Sequence, residues 1–348
     1  MSALRAAWVG LLVLVMSWGL AVEHAGRAEE ASSAAQPELP GNVQADSMRL
    51  LNELREAGDT PEKILEILAR GDRRALLVVL LGSFTGVLLV AGIGGGVALL
   101  VLWRQGRIKA RASWAPGGPW TLLDIVEAIA FFMVAQLAVA LVLRTALEAV
   151  GIKEREGPGV LVLMALSYVL SAVATVLLLG VRTPGGLSGL RRAVRFPGHR
   201  IGRRILQGAV GYAIIFPVFI GAAWLTRGQR NPLESNPVIP VIVESGGVWA
   251  KVLALALLSV CAPLFEETLF RGFVYQTLRR RWGVATGVIV TGVLFGLVHQ
   301  YLPGVLPLSV LGMGFAMMYE VTGSLVPSMV AHATQNALAF AVLMLLMS

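Results

Sequence analysis

Charge is scarce in this chain, and cysteine is almost absent. Asp, Glu, Lys and Arg together make up 14% of its 348 residues against 56% apolar residues, and the mean hydropathy is +0.74. That scarcity excludes an ordinary soluble domain, in which about a quarter of residues are charged. The single cysteine, Cys261, excludes an intrachain disulfide; it sits in an apolar run and reads as a small core residue rather than a nucleophile. There are only four histidines, and none is followed by Glu, so the His-Glu-x-x-His zinc protease pattern is missing. Asp124 is the one aspartate inside an apolar run, which removes a pair of membrane aspartates from consideration. The net charge of +8 would suit nucleic acid, but the basic residues cluster in short links between apolar runs, where they act as topology signals. Nucleic acid is therefore excluded as a partner, and the lipid bilayer takes its place.

What is present is organised by hydropathy. Residues 1–28 carry Arg5, an apolar stretch and small residues around Ala25 and Ala28, the layout of a signal peptide or signal anchor, with cleavage favoured by the Ala/Ser/Pro-rich linker over 29–45. Residues 46–72 read as an extracytoplasmic helical hairpin: Leu50, Leu51 and Leu54 form one stripe, Gly58 ends it, and Thr60 and Pro61 suit the cap and first turn of a second helix. Eight apolar runs follow, at 75–103, 122–147, 158–180, 205–226, 250–274, 284–301, 303–320 and 325–347. Each is long enough to cross about 30 Å of hydrocarbon at about 1.5 Å per residue. The expected fold is an all-α polytopic membrane helix bundle of about eight transmembrane helices after an N-terminal signal segment.

The links set the orientation. Arg104, Arg107, Lys109 and Arg111 follow the first span; Arg182, Arg191, Arg192, Arg195, Arg200, Arg203 and Arg204 follow the third; Arg279, Arg280 and Arg281 end the fifth. The alternate links are neutral or slightly acidic. By the positive-inside tendency the basic links are cytoplasmic and the N-terminal hairpin lies outside.

Three clusters of polar residues interrupt the late spans. A carboxylate at membrane depth costs several kcal/mol unless it is paired or faces a cavity, so each cluster is a functional candidate. In "EETLFR", Glu267 and Arg271 are spaced i,i+4 and share a helix face, while Glu266 projects about 100° away and stays free for chemistry. Pro263, one turn earlier, is expected to bend the helix. In "FGLVHQ", Phe295 and His299 share a face; in "AHATQN", His332 and Asn336 do. A glutamate near a histidine can deprotonate a water for attack on a carbonyl, with a second histidine and an asparagine amide donating to the oxyanion. Equally, Glu266, His299 and His332 can supply three ligands to a divalent metal, zinc by ligand type, with one position open for water. Both routes hydrolyse an amide, and the residues leave both open.

The motifs Glu-Glu-x-x-x-Arg, Phe-x-x-x-His and His-x-x-x-Asn, in that order on successive late membrane helices, resemble those of the CPBP intramembrane proteases (CAAX protease and bacteriocin-processing, or Abi), which include the type II CAAX prenyl endopeptidases. The resemblance covers about residues 120–348, the expected protease core. It implies a helical bundle with a conical cavity open to the cytoplasm and a membrane-proximal peptide or protein substrate. By the same resemblance Glu266, assisted by His299, activates the water; His332 and Asn336 stabilise the oxyanion; Glu267 and Arg271 hold the geometry. Both metal-dependent and metal-free mechanisms are attached to the family. The implied setting is a bacterial plasma membrane. The signal segment, the hairpin and the Gly-rich first span depart from the family core. The reading from another class is a non-catalytic scaffold, immunity factor or permease that uses these groups structurally.

Overall fold

The computed structural model describes residues 73–105, 118–150, 158–196, 200–226, 241–242 and 246–347. The expected signal segment, linker and hairpin lie outside the described residues. All regular structure among the described residues is helical. In chain order the elements are α1 (Arg73–Arg104), α2 (Leu122–Ala149), α3 (Pro158–Arg182), α4 (Gly186–Ala193), α5 (Ile201–Thr226) and α6 (Val248–Ala256). A π-helical stretch π1 (Leu257–Cys261) follows, then α7 (Ala262–Glu267), a second one, π2 (Thr268–Tyr275), and α8 (Gln276–Leu297). A 3₁₀ turn (Leu302–Gly304), α9 (Val305–Thr322) and α10 (Leu325–Met347) complete the bundle.

Among the described residues seven stretches are long and apolar enough to span a membrane, and the longest, Val248–Leu297, is 50 residues. Within it Gly283 adopts φ 82° and ψ 178°, a conformation that a Cβ would strain. The stretch is therefore two helices turned at Gly283, which brings the total to the eight spans expected. Local chemistry sets the other ends. Thr121 and Asp124 form a reciprocal capping box that starts α2; Pro158 occupies the first position of α3, where its missing N–H costs nothing; Gly323, at φ 60°, stops α9. The short amphipathic α4 was not foreseen, because eight residues between basic side chains give too little hydropathy to stand out from a loop.

The principal helix pairs are α8 with α9, α2 with α3, α5 with α10 and α1 with α5. One core joins Trp120, Phe265, Phe270, Phe273, Tyr275, Phe295 and Tyr319, and a second gathers Tyr212, Phe216 and Phe315. The described arginines that follow the third and fifth spans come together at one end of the bundle. There the indole of Trp120 donates to Thr183 Oγ1 (3.1 Å), and Arg280 donates to the carbonyls of Gly118 and Trp120. Arg279 grips both oxygens of Glu320 (2.7 and 2.9 Å), which also accepts from Tyr275 OH (2.9 Å). Arg195 and Arg204 donate to the carbonyls of Gly323 (2.9 Å) and Thr322 (2.8 Å), while Arg182 pairs with Glu127 and lies 3.9 Å from Asp124. The aspartate noted in the second span is thus a helix cap and ion-pair partner at this end.

Candidate functional site

The site is built on an irregular helix. Pro263 has no N–H to give to the carbonyl four residues back, and its ring crowds that carbonyl. The chain answers with π1 immediately before α7, where the Ala262 N–H reaches back five residues to Leu257 O. So the bend expected at Pro263 takes the form of a widened turn. π2 follows directly after Glu267, and single π turns of this kind collect at functional sites. Between them α7 presents Glu266 and Glu267 side by side.

Glu267 and Arg271 form the ion pair read from their spacing: Nη1 to Oε1 is 2.7 Å, and both side chains are fully buried. Arg271 Nη2 also donates to Gly312 O (3.0 Å), and the guanidinium lies over the rings of Phe295 (4.6 Å) and Phe315 (5.1 Å). Buried charge of this sort holds only when charge and hydrogen bonds are both answered. Gly312 earns its place by packing as well, since a Cβ there would come within 2.9 Å of Gly292. Glu267 Oε1 makes a second contact, 3.0 Å from His332 Nδ1. A carboxylate held ionic by Arg271 accepts, so His332 donates from Nδ1, and its Nε2 lone pair is turned the other way. Nε2 faces Glu266 Oε2 at 3.9 Å. The His332 ring is stacked on Phe315 (centroids 5.3 Å apart, planes 25°) and stands edge-on to Phe295 (5.6 Å).

Glu266 is therefore the freer of the two carboxylates, as its position on the helix suggested. Its Oε1 accepts from Tyr168 OH at 3.0 Å, while its buried Oε2 has no hydrogen-bond partner among the described residues. Tyr168 was missed by sequence reasoning. It lies on α3, 98 residues away, in a span that otherwise reads as plain hydrocarbon filling; the one signal was a hydroxyl beside Ser167 and Ser171 in an apolar run.

The other two motif residues sit differently from the simplest expectation. His299 lies just past the end of α8 and is exposed, with Nδ1 2.6 Å from Phe295 O and its ring edge-on to Phe295 (4.9 Å). Phe295 is thus in edge-on contact with both histidine rings, His299 at 4.9 Å and His332 at 5.6 Å. Asn336 donates from Nδ2 to Leu258 O at 2.7 Å, which satisfies a carbonyl within π1. Its amide keeps one further N–H. Among the described residues no group of three or more His, Cys, Asp or Glu side chains is placed to hold a metal ion. The Glu266, His299 and His332 set, as arranged here, does not fit a three-ligand centre.

Beside the site, a groove of about 400 Å³ runs along α3 and the π1–α7 segment, with Tyr168, Val173, Cys261, Leu264 and Phe265 among its lining.

Residues 248–338 match the family model "Type II CAAX prenyl endopeptidase Rce1-like". The matched segment, which is similar to that family, runs from the start of α6 into α10 and contains all three motifs. An "Uncharacterized 24.3 kDa protein" of Escherichia coli is 30% identical over 94 residues, 26% of this chain and 42% of that protein. The Bacillus subtilis (strain 168) protein named "Putative membrane peptidase YdiL" is 28% identical over 139 residues, 39% of this chain and 55% of that protein. The chain spans about half the length of the curated relatives it matches. No solved structure matches.

Proposed function

We propose that this chain is an intramembrane endopeptidase that hydrolyses a peptide bond near the membrane surface by a glutamate-activated water. The observation that carries the reading is the opposition of Glu266 Oε2 and His332 Nε2 at 3.9 Å, each braced from behind, the first by Tyr168 and the second by Glu267. That separation is too long for a direct hydrogen bond and suits two acceptors sharing the hydrogens of one water. As the water oxygen attacks the carbonyl carbon, Glu266 takes one proton and later returns it to the leaving amine. His332 orients the water, and its bond to Glu267 fixes tautomer and ring angle. The second N–H of Asn336 is the donor closest in character to an oxyanion partner, in line with the family resemblance. Glu267 and Arg271 act through His332. His299, exposed just past the end of α8, is assigned to the mouth of the site, where substrate would meet it. No step is routed through a metal.

The Rce1-like match supports a membrane-proximal peptide or protein as substrate. The clustering of basic residues at one end supports a cytoplasmic location for that end in a bacterial plasma membrane, with the N terminus outside. Tyr168 and His332 stand roughly two to four helical turns from it.

The test is cleavage of a membrane-anchored peptide library by purified protein in proteoliposomes. Glu266→Gln should lower cleavage about 10³-fold, within the usual range for loss of a general base, with unchanged thermal unfolding. Cleavage at the wild-type rate by Glu266→Gln would overturn the proposal and favour the scaffold or permease reading.

A further inference from the structure

We propose that Tyr168 is a positioning residue for Glu266, holding its carboxylate so that Oε2 alone faces the reacting water. The inference deepens the endopeptidase reading and rests on it.

Three observations support it. The phenol donates to Glu266 Oε1 at 3.0 Å, and Oε2 is left without a partner opposite His332 Nε2. The terminal torsion of a glutamate is broad, so an untethered carboxylate would exchange or tilt its two oxygens. One donor on one oxygen removes that freedom and assigns the oxygens different jobs. Next, the ring that carries the hydroxyl is itself fixed. It stands edge-on to Phe132 (5.7 Å, 84°) and to Phe265 (6.0 Å, 89°), and Phe132 and Phe265 are in contact at 4.6 Å. Phe265 immediately precedes Glu266, so one aromatic clamp sets both the donor and the backbone that bears the acceptor. Finally, the hydroxyl comes from α3, outside the Rce1-like segment, and Tyr168 is at the same time part of the wall of the apolar groove beside the site. α3 therefore contributes to the geometry of the reacting carboxylate as well as to the bundle, and a shift of α3 against α7 would misplace Glu266 directly.

Misplacement of a reacting group by about 1 Å costs on the order of 100-fold in rate. Tyr168→Phe keeps the ring, the clamp and the groove wall and deletes only the hydroxyl. In proteoliposomes its kcat for the peptide cleaved by the wild type should fall about 10- to 100-fold, with KM within about twofold. Substrate contacts are untouched, so the loss belongs in kcat. Should Tyr168→Phe not accumulate in the membrane, Tyr168→Met removes ring and hydroxyl together, and a wild-type kcat in that variant overturns the assignment equally. A wild-type kcat in the hydroxyl-free variant, or a loss expressed wholly in KM, would overturn the assignment. Glu266→Gln is measured in parallel: retained cleavage there removes the endopeptidase reading itself, whereas a dead Glu266→Gln beside a wild-type Tyr168→Phe removes only the role of Tyr168.

Discussion

Helix α1 and the segment from α6 to α8 are both membrane-spanning, yet they are held in the bundle by opposite means. Along α1 large apolar side chains such as Leu80, Val87, Val90 and Ile93 are exposed. Its tight contact with α5 is made by glycine: a Cβ on Gly92 would lie 2.0 Å from Ala213 O and 2.7 Å from the Pro217 ring, and Gly95 packs on Ile214. In the α6–α8 segment Glu267, Arg271, Phe273 and Tyr275 are fully buried, and charge meets charge, carbonyl and ring. Hydrocarbon is as good a neighbour for Leu or Val as protein is, so an apolar helix gains its place only through shape. Lipid cannot replace a hydrogen bond or an ion pair, so the polar segment is committed to one arrangement. The Rce1-like match begins at 248 and leaves α1 outside, along the same division.

The comparison is broken most severely at Arg271. Arg271→Met leaves Glu267 ionised and buried with His332 alone, and should cost about 3–5 kcal/mol, measured by reversible unfolding in mixed micelles. Pairing it with Glu267→Leu should recover part of that loss while cleavage stays abolished, because His332 then has no carboxylate to orient it. A smaller loss is expected at the shape-held contact. Gly92→Leu drives a side chain into the α5 backbone and should cost about 1–3 kcal/mol, with cleavage per folded molecule within about twofold of wild type. Val90→Leu, on the exposed face of the same helix, should lie within about 0.5 kcal/mol of wild type. A large effect at Val90, or none at Gly92, would mean that α1 is held by something other than close approach.

Much of the bundle was legible because its determinants are local. Long apolar runs have one solution in a bilayer, and the ends that the structure sets at Pro158, Gly283 and Gly323 depend on the φ preferences of single residues. The pair of Glu267 with Arg271 followed from helical spacing, and it survives even though π2 widens the turn between them. The inward pairing of Phe295 with His299 was only half visible: Phe295 is buried, but α8 stops at Leu297 and leaves His299 exposed beyond its end. Asn336 was read as an oxyanion donor, and its bond to Leu258 could not be anticipated, since the carbonyl it meets is within a widened turn that no hydropathy pattern encodes.

From its sequence alone the chain was committed to spanning the membrane as helices, to an ion pair inside the fifth span and to three polar motifs, because desolvation and helical period act over a few residues. Tertiary structure alone decided which oxygen of Glu266 is free, which nitrogen of His332 faces it and that Tyr168 from α3 completes the arrangement. Those choices depend on contacts between helices far apart in the chain, and a hydrogen bond is specified by angles and distances that no run of residue types contains.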